Sequence, residues 1–361
     1  MDEHSKKKGA KLAASVVGSA AVIAAGLSTA TAIIMKRQFG KGSYPDRRFS
    51  FKYRYDPDYI KTHTRENVQF KSGANTLQAY IYGMENKDPK GLMVFAHGIY
   101  TGHESYINQL MWFVDRGWRV FAYDATGSCT SEGNYTVGLV QSALDLDKAL
   151  DYAATDPRLA GLPVCLMGHS WGGYAVSAVL NFDHEVKAVA ELSGYAYPKE
   201  MLDLGARGLL GKVMGHVFEP FSHGYNDLVF KEYRDLNAVE GINKRNIPVL
   251  VIHGELDDFV DYKKVSILSK RGKITNPNVE YVTLTGEFAD HNNFFNSEQA
   301  NLYIKKFNEK LNKIKQDVYD GFIPDDDYAK LFTAADKTIT NRVNTQLLEL
   351  IEKFFLKALS E

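Results

Sequence analysis

The sequence predicts an α/β domain with a mostly parallel sheet and helices on both of its faces. Short, continuous apolar runs rich in β-formers recur along the chain. Longer segments of helical spacing separate most of them. Continuous apolar strands alternating with amphipathic helices are the pattern of a sheet buried on both sides. The composition agrees: 45% hydrophobic and 24% charged residues over 361 positions are ordinary globular values, which exclude disorder, collagen and coiled coil as the main architecture.

The elements follow in order. Leu12 to Met35 carries no charge, with Lys6, Lys7, Lys8 and Lys11 before it and Lys36 and Arg37 after it. Its 24 residues suit a membrane-spanning helix. An uncleaved single-pass anchor in the cell membrane is the preferred reading. A signal peptide cut near Ala30-Thr31-Ala32, giving a secreted protein, is the second, and a soluble Ala-rich helix the third. Residues 1–11 then form a basic terminus, 36–65 a polar linker and 66–361 the main domain. Residues 1–54 hold 11 Lys and Arg against 3 Asp and Glu, whereas the whole chain has a net charge of −1. That balance argues against nucleic acid as a partner.

Strands are expected at Val68–Lys71, Thr76–Gly83, Leu92–Ala96, Arg119–Tyr123, Pro163–Met167, Val186–Leu192, Ile247–Ile252 and Val279–Leu284, the first two as a hairpin around Ser72-Gly73-Ala74-Asn75. Helices are expected at Glu104–Arg116, Val137–Ala154, Gly172–Asn181 and Tyr262–Arg271. The tail from Gln299 reads as helical with a break near Gly321 to Asp327, ending in one helix from Lys337 to Leu359 whose apolar stripe includes Val343, Leu347, Leu348 and Ile351. About 53 residues separate the strand ending near Ser193 from that beginning at Ile247. A connection of that length is rarely structureless, so about 195–246 is expected to form a small aromatic cap insertion. Cys129 and Cys165 are too few for a disulfide scaffold or a Cys-rich zinc site.

The chemistry centres on Gly168-His169-Ser170-Trp171-Gly172, a G-x-S-x-G pattern between a buried strand and a helix. A serine on so sharp a turn needs glycines at plus and minus two. The turn exposes the hydroxyl, and the helix N-terminus offers N–H groups to a developing oxyanion. Serine needs a base, and the motif orders its partners Ser, acid, His. Ile247–Ile252 leads into Asp257 and Asp258; Val279–Leu284 leads into His291. Ser170, Asp257 and His291 are the candidate nucleophile, acid and base, with Asp258 as the competing acid. The expected oxyanion donors are the amides of Trp171 and Ile99, with Tyr100 in reserve. His97 and His169 read as packing residues, and His103, His216 and His223 as surface ones. No metal-ligand spacing such as H-E-x-x-H occurs, so no metal is expected.

These residues resemble the α/β-hydrolase superfamily, and within it the branch of serine aminopeptidases and monoacylglycerol lipases. The similarity runs from about Val68 to Phe307, plus the last helix. It includes His97-Gly98 followed by Gly102-His103-Glu104-Ser105-Tyr106, and a loop from Asp124 to Gly133 in which Thr126 and Cys129 stand at the family's Arg and second Gly. The resemblance implies an eight-stranded, mostly parallel sheet, a covalent acyl-enzyme and no cofactor, but the two departures border the pocket, so substrate preference does not carry over. A small ester is expected because it needs less leaving-group protonation and an aromatic cap suits an apolar acyl chain, and the anchor fits a lipid-like one. The rivals are an aminopeptidase-type peptidase, with Glu104, Glu191 or Asp258 holding the substrate ammonium, and a non-catalytic binding protein that keeps the fold.

Overall fold

Eight strands form one sheet in the computed structural model, which describes residues 24–44, 46–51, 63–317 and 325–361. They are β1 (Arg65–Ser72), β2 (Asn75–Tyr82), β3 (Leu92–Ala96), β4 (Arg119–Tyr123), β5 (Val164–His169), β6 (Val186–Leu192), β7 (Val249–Gly254) and β8 (Val279–Leu284). Their spatial order is β1-β2-β4-β3-β5-β6-β7-β8. β2 is antiparallel to β1 and β4, and every pair from β4 to β8 is parallel. All eight predicted strands are present. β3, β4 and β7 are buried along their whole length, whereas the edge strands β1 and β8 alternate with exposed positions. That difference is what neighbours on both sides impose.

One face of the sheet is covered by α2 (Ile107–Asp115) and the final helix α10 (Thr345–Ser360). Leu110, Phe113, Trp118, Leu348, Ile351 and Phe355 make its apolar core with Met93, Phe95 and Met167. On the other face lie α3 (Gln141–Thr155), α4 (Trp171–Ala178) and α6 (Ala238–Lys244). Cys129 and Cys165 do not form a disulfide with each other, and burial pushes the Cys165 thiol up to about 12.

Two segments depart from expectation. Tyr262–Arg271 is turn and a 3-10 segment at Leu268–Lys273 rather than a helix. Its backbone is drawn into outside bonds, with Ala196 N–H donating to Val265 O and Ile267 N–H to Gly194 O. The predicted helix Lys337–Leu359 is two: α9 (Lys337–Thr340) and α10. Val343 instead bridges Asn296, and the Asn344 side chain accepts from Leu347 N to start α10 afresh. A helix α7 (Glu298–Asp317) precedes α8 (Asp325–Thr333), and the expected break between them falls largely outside the described residues.

The linker is also a correction. Gly40 and Gly42 bridge Tyr135 and Ser128, and Phe51 packs edge-on against Phe307 at 4.7 Å. Residues 40–51, where described, are therefore part of the domain surface. Of the expected anchor, Leu12–Ile23 lies outside the described residues. Residues 24–38 form a helix, α1, with Thr31 and Met35 buried. Among the described residues no helix is long and apolar enough to cross a membrane.

The chain divides into two compact units. Among the described residues, one comprises those between 40 and 198 and between 236 and 361; the other, residues 199–235 with residues 24–39. The expected insertion is thus narrower than 195–246: Tyr195 stacks on Tyr174 at 4.6 Å in the core of the larger unit. α5 (Pro198–Phe230) turns back on itself at Gly211, where φ is 77°, a conformation that glycine tolerates. Ion pairs stitch the two halves: Lys199 with Asp227, Asp203 with His223, and Arg207 with Glu219.

Candidate active site

β5 runs straight into α4, and Ser170 sits on the turn with φ 58° and ψ −115°. A non-glycine residue there stores about 1–3 kcal/mol of strain. Its neighbours hold it in place. Ser170 N–H donates to Leu192 O at 2.8 Å, and Ser170 O accepts from Tyr174 N at 3.0 Å. A Cβ on Gly168 would come within 2.2 Å of Gly172 O, and one on Gly172 within 2.0 Å of Ala96 O. Both flanking glycines are sterically required, as the spacing predicts.

Ser170 Oγ lies 3.0 Å from His291 Nε2, and His291 Nδ1 lies 2.6 Å from Asp257 Oδ2. The turn after β7 and the loop after β8 are fastened together. Leu256 N–H donates to Ala289 O at 2.9 Å, and a Cβ on Gly254 would come within 2.2 Å of that same oxygen. Asp257 Oδ1 accepts from the amides of Phe259 and Val260 at 3.0 and 2.9 Å. Burial opposes ionisation of Asp257, but hydrogen bonds from His253 and His291 outweigh it and hold the carboxyl well below its usual range. Asp258 is exposed and plays no part in this constellation.

Trp171 is the first residue of α4, so its amide stands at a helix N-terminus beside Ser170. Ile99 lies between Gly98 and Tyr100, whose φ is 68°. A Cβ on Gly98 would fall 3.6 Å from Ser170 Cβ, which puts this loop alongside the serine. A hydrogen-bonded relay fixes the loop. Gly98 N–H donates to Tyr106 Oη at 3.2 Å, Tyr106 Oη lies 2.8 Å from His169 Nδ1, and His169 Nε2 lies 2.9 Å from His291 O. A carbonyl only accepts, so Nε2 carries the His169 proton and Nδ1 accepts from tyrosine. Burial, then the neighbouring His291, pushes His169 well below the usual imidazole range. His97 is likewise a strut, with Nδ1 at 2.7 Å from Gly98 O and Nε2 accepting from Ala125 N at 2.9 Å.

Three features escape the sequence reading. His103 is fully buried rather than on the surface, with Nδ1 at 2.9 Å from Asp124 Oδ1. His253, also fully buried, brings a second imidazole to Asp257, with Nε2 at 3.0 Å from Oδ2; its spacing of four residues from Asp257 was the available signal. Thr126, at the family's Arg position, anchors its loop to buried Asp145, donating through N and Oγ1 at 2.7 and 2.9 Å. His216 and His223 are at least partly exposed. The described residues bring together Asp147, Asp151 and His184 as a possible metal group, but Lys148 Nζ sits 2.9 and 2.8 Å from the two carboxylates and supplies their positive charge.

Residues 87–238 match the family model for serine aminopeptidase, S33. No curated protein matches the sequence. Among solved structures, the Pyrococcus furiosus esterase PF2001 superposes with a TM-score of 0.51 at 17% identity, covering 77% of this chain and 98% of the other. Est1E from Butyrivibrio proteoclasticus, solved with ferulic acid, gives 0.47 at 19% identity over 67% and 98%. The acylaminoacyl peptidase of Pyrococcus horikoshii gives 0.49 at 16% over 65% and 38%. With its strand order and the G-x-S-x-G elbow between β5 and α4, the chain has the α/β-hydrolase fold, and its residues 87–238 are similar to the serine aminopeptidase family.

Proposed function

We propose that the protein is a serine hydrolase acting on carboxylic esters through an acyl-enzyme. The observation that carries this is the contact of Ser170 Oγ with His291 Nε2 at 3.0 Å, with Nδ1 of the same ring at 2.6 Å from Asp257. His291 takes the Ser170 proton as Oγ attacks the ester carbonyl. The amides of Trp171 and Ile99 receive the oxyanion. Collapse expels the alcohol, protonated by His291, and water then releases the acid by the same route. Asp257 stays ionised throughout and stabilises the imidazolium.

Esters are preferred to peptides for a specific reason. An aminopeptidase needs an anion for the substrate ammonium. Of the three carboxylates expected from the sequence, Glu104 is bound to Arg65 at 2.7 Å. Glu191 is fully buried, and burial, with Asp257 nearby, pushes its carboxyl well above the usual range. Asp258 alone is exposed. The uncharged stretch Leu12–Met35 is proposed to anchor the enzyme in a membrane, which fits a lipid-like ester; recovery in the soluble fraction after a salt wash without detergent would refute this part.

A fluorophosphonate probe tests the central reading. Wild type should label, and Ser170→Ala and His291→Ala should not, with all three proteins folded by circular dichroism. Wild type not exposed to the probe should cleave p-nitrophenyl esters faster than aminoacyl p-nitroanilides. Folded wild type that fails to label would overturn the reading in favour of a binding role.

A further inference from the structure

The Asp257 carboxylate has an unusual set of partners. Oδ1 takes two backbone amides, those of Phe259 and Val260. Oδ2 takes two imidazoles, His291 through Nδ1 at 2.6 Å and His253 through Nε2 at 3.0 Å. An ionised carboxylate offers about four acceptor sites, and here all four are filled.

The protonation of His253 follows from its contacts. Its Nε2 faces the carboxylate oxygen and also Val260 O at 2.9 Å. Both are acceptors, so Nε2 carries a proton and is shared between them. Its Nδ1 is buried and has no partner among the described residues. A proton there would be an orphaned buried donor, so the Nε2–H tautomer is favoured. His253 therefore works as a fixed dipole aimed at Asp257.

The β6–β7 register explains why it does not swing away. Leu192 pairs with Ile252, and Ser193 N–H donates to Ile252 O at 2.8 Å. Side chains alternate along a strand, so His253 shares a sheet face with Glu191 and Ser193. Both of those side chains, like His253, carry a buried polar atom without a partner among the described residues. Around His253 lie Asp257 at 3.0 Å, the Tyr262 ring at 5.9 Å, Glu191 on the same sheet face in β6 and His169 from β5, while His291 from the loop after β8 shares Asp257 with it. Asp257 is the full-strength anion among them.

We propose that His253 is a positioning residue of the serine-hydrolase site, orienting Asp257 Oδ2 toward His291 and tempering the negative charge that His291 meets. The inference rests on the hydrolase reading above. Without the second imidazole, Oδ2 turns its whole charge on His291. The imidazolium is then stabilised in the resting enzyme, before substrate arrives, and the neutral base is present only at higher pH. The free carboxylate is also less well oriented, so turnover slows while substrate affinity does not change.

The experiment compares His253→Leu, which removes the donor, with His253→Gln, whose amide reaches toward the Nε2 position. If the Leu variant does not fold, His253→Asn takes its place, since its shorter amide falls short of Asp257. On a p-nitrophenyl ester, Leu or Asn should lower kcat about ten- to hundredfold, the scale of one hydrogen bond to a charged group, with KM little changed. The acid limb of kcat/KM should move to higher pH, and Gln should restore both rate and limb. A residue that only packs would lower the melting temperature and leave the limb of the folded enzyme in place. Superimposed acid limbs, or a loss that Gln does not restore, would overturn the proposal. Fluorophosphonate labelling of wild type separates the two readings: a wild type that labels, with unmoved limbs in the variants, refutes His253 alone.

Discussion

Among the described residues of the larger unit, two aspartates with fully buried side chains are held by imidazoles, Asp257 by His291 and His253 and Asp124 by His103, and only the His291 pair meets a serine. His291 and Asp257 meet at 2.6 Å, His103 and Asp124 at 2.9 Å. They differ in what the other imidazole nitrogen meets. His291 Nε2 faces Ser170 Oγ, a nucleophile on a strained turn. His103 Nε2 faces Tyr82 Oη at 2.9 Å, while Tyr80 stacks on the ring at 4.1 Å and Tyr44 Oη donates to Asp124 at 3.0 Å. A Cβ on Gly102 would come within 2.5 Å of Asp124 Oδ1, so the pair is enclosed by backbone as well. The contrast shows that a His–Asp pair is not itself a catalytic device. The third partner and its access decide, and one pair serves as the candidate catalytic relay while the other clamps the loop after β3 to the end of β4.

The largest expected effects break this comparison in opposite ways. His291→Ala should lower ester hydrolysis by about a thousandfold or more with little change in urea stability. His103→Ala should do the reverse. Removing one member of a buried pair leaves an uncompensated charge, a loss of about 3–5 kcal/mol, while the protein that remains folded labels with fluorophosphonate at the wild-type rate. Equal losses of labelling in both variants would mean that His103 also serves the chemistry.

The two pairs also differ in how far they could be read from sequence. Ser170 and Asp257 each follow a continuous apolar run and His291 follows the alternating strand β8, so strand ends and motif order were enough to bring them together. The sheet was legible for the same reason: β3, β4, β6 and β8 begin and end where their apolar runs do. His103 was not legible. Its enclosure comes from Tyr44, from Tyr80 and Tyr82 on β2, and from Asp124, three separate segments, one of them in what read as a free linker. Nothing local in Gly102-His103-Glu104 marks it as buried. The missed turn at Tyr262–Arg271 has a similar origin, since the distant Gly194 carbonyl, accepting from Ile267 N–H, and the distant Ala196 N–H, donating to Val265 O, compete with helical bonding there. Periodicity reports which face a segment buries. It does not report which distant polar groups meet.

Acid titration sharpens the comparison at a smaller scale. Asp124 and Asp257 both lie below the ordinary carboxylate value of 3.8; in each, burial opposes the shift, and imidazole partners, His103 for Asp124 and His253 and His291 for Asp257, overcome it. A depressed folded value means that the unfolded chain takes up its proton first. The stability from each group is therefore complete above the ordinary value and is lost as pH falls through the folded one. Urea midpoints should fall as pH drops below about 4. Asp124→Asn and Asp257→Asn should each flatten that fall, and only Asp257→Asn should also abolish turnover at neutral pH. A slope that neither substitution changes would place the acid sensitivity elsewhere.

The smallest expected effect concerns Asp258, next in sequence to the acid and exposed where Asp257 is buried. Its substitution by Asn should alter stability by less than about 0.5 kcal/mol and leave the hydrolysis of a neutral ester unchanged, because the carboxylate that matters is the one saturated by four donors. The same variant separates the ester and peptidase readings. Asp258 is the exposed member of the three acidic residues able to meet an ammonium, so a peptidase that trims N-termini would lose affinity for free-amine aminoacyl amides when it becomes Asn. The expected outcome is a KM for such amides that is poor in wild type and no poorer in the variant. A KM that rises for the amide and not for the ester would instead assign Asp258 to substrate recognition and turn the assignment toward the peptidase.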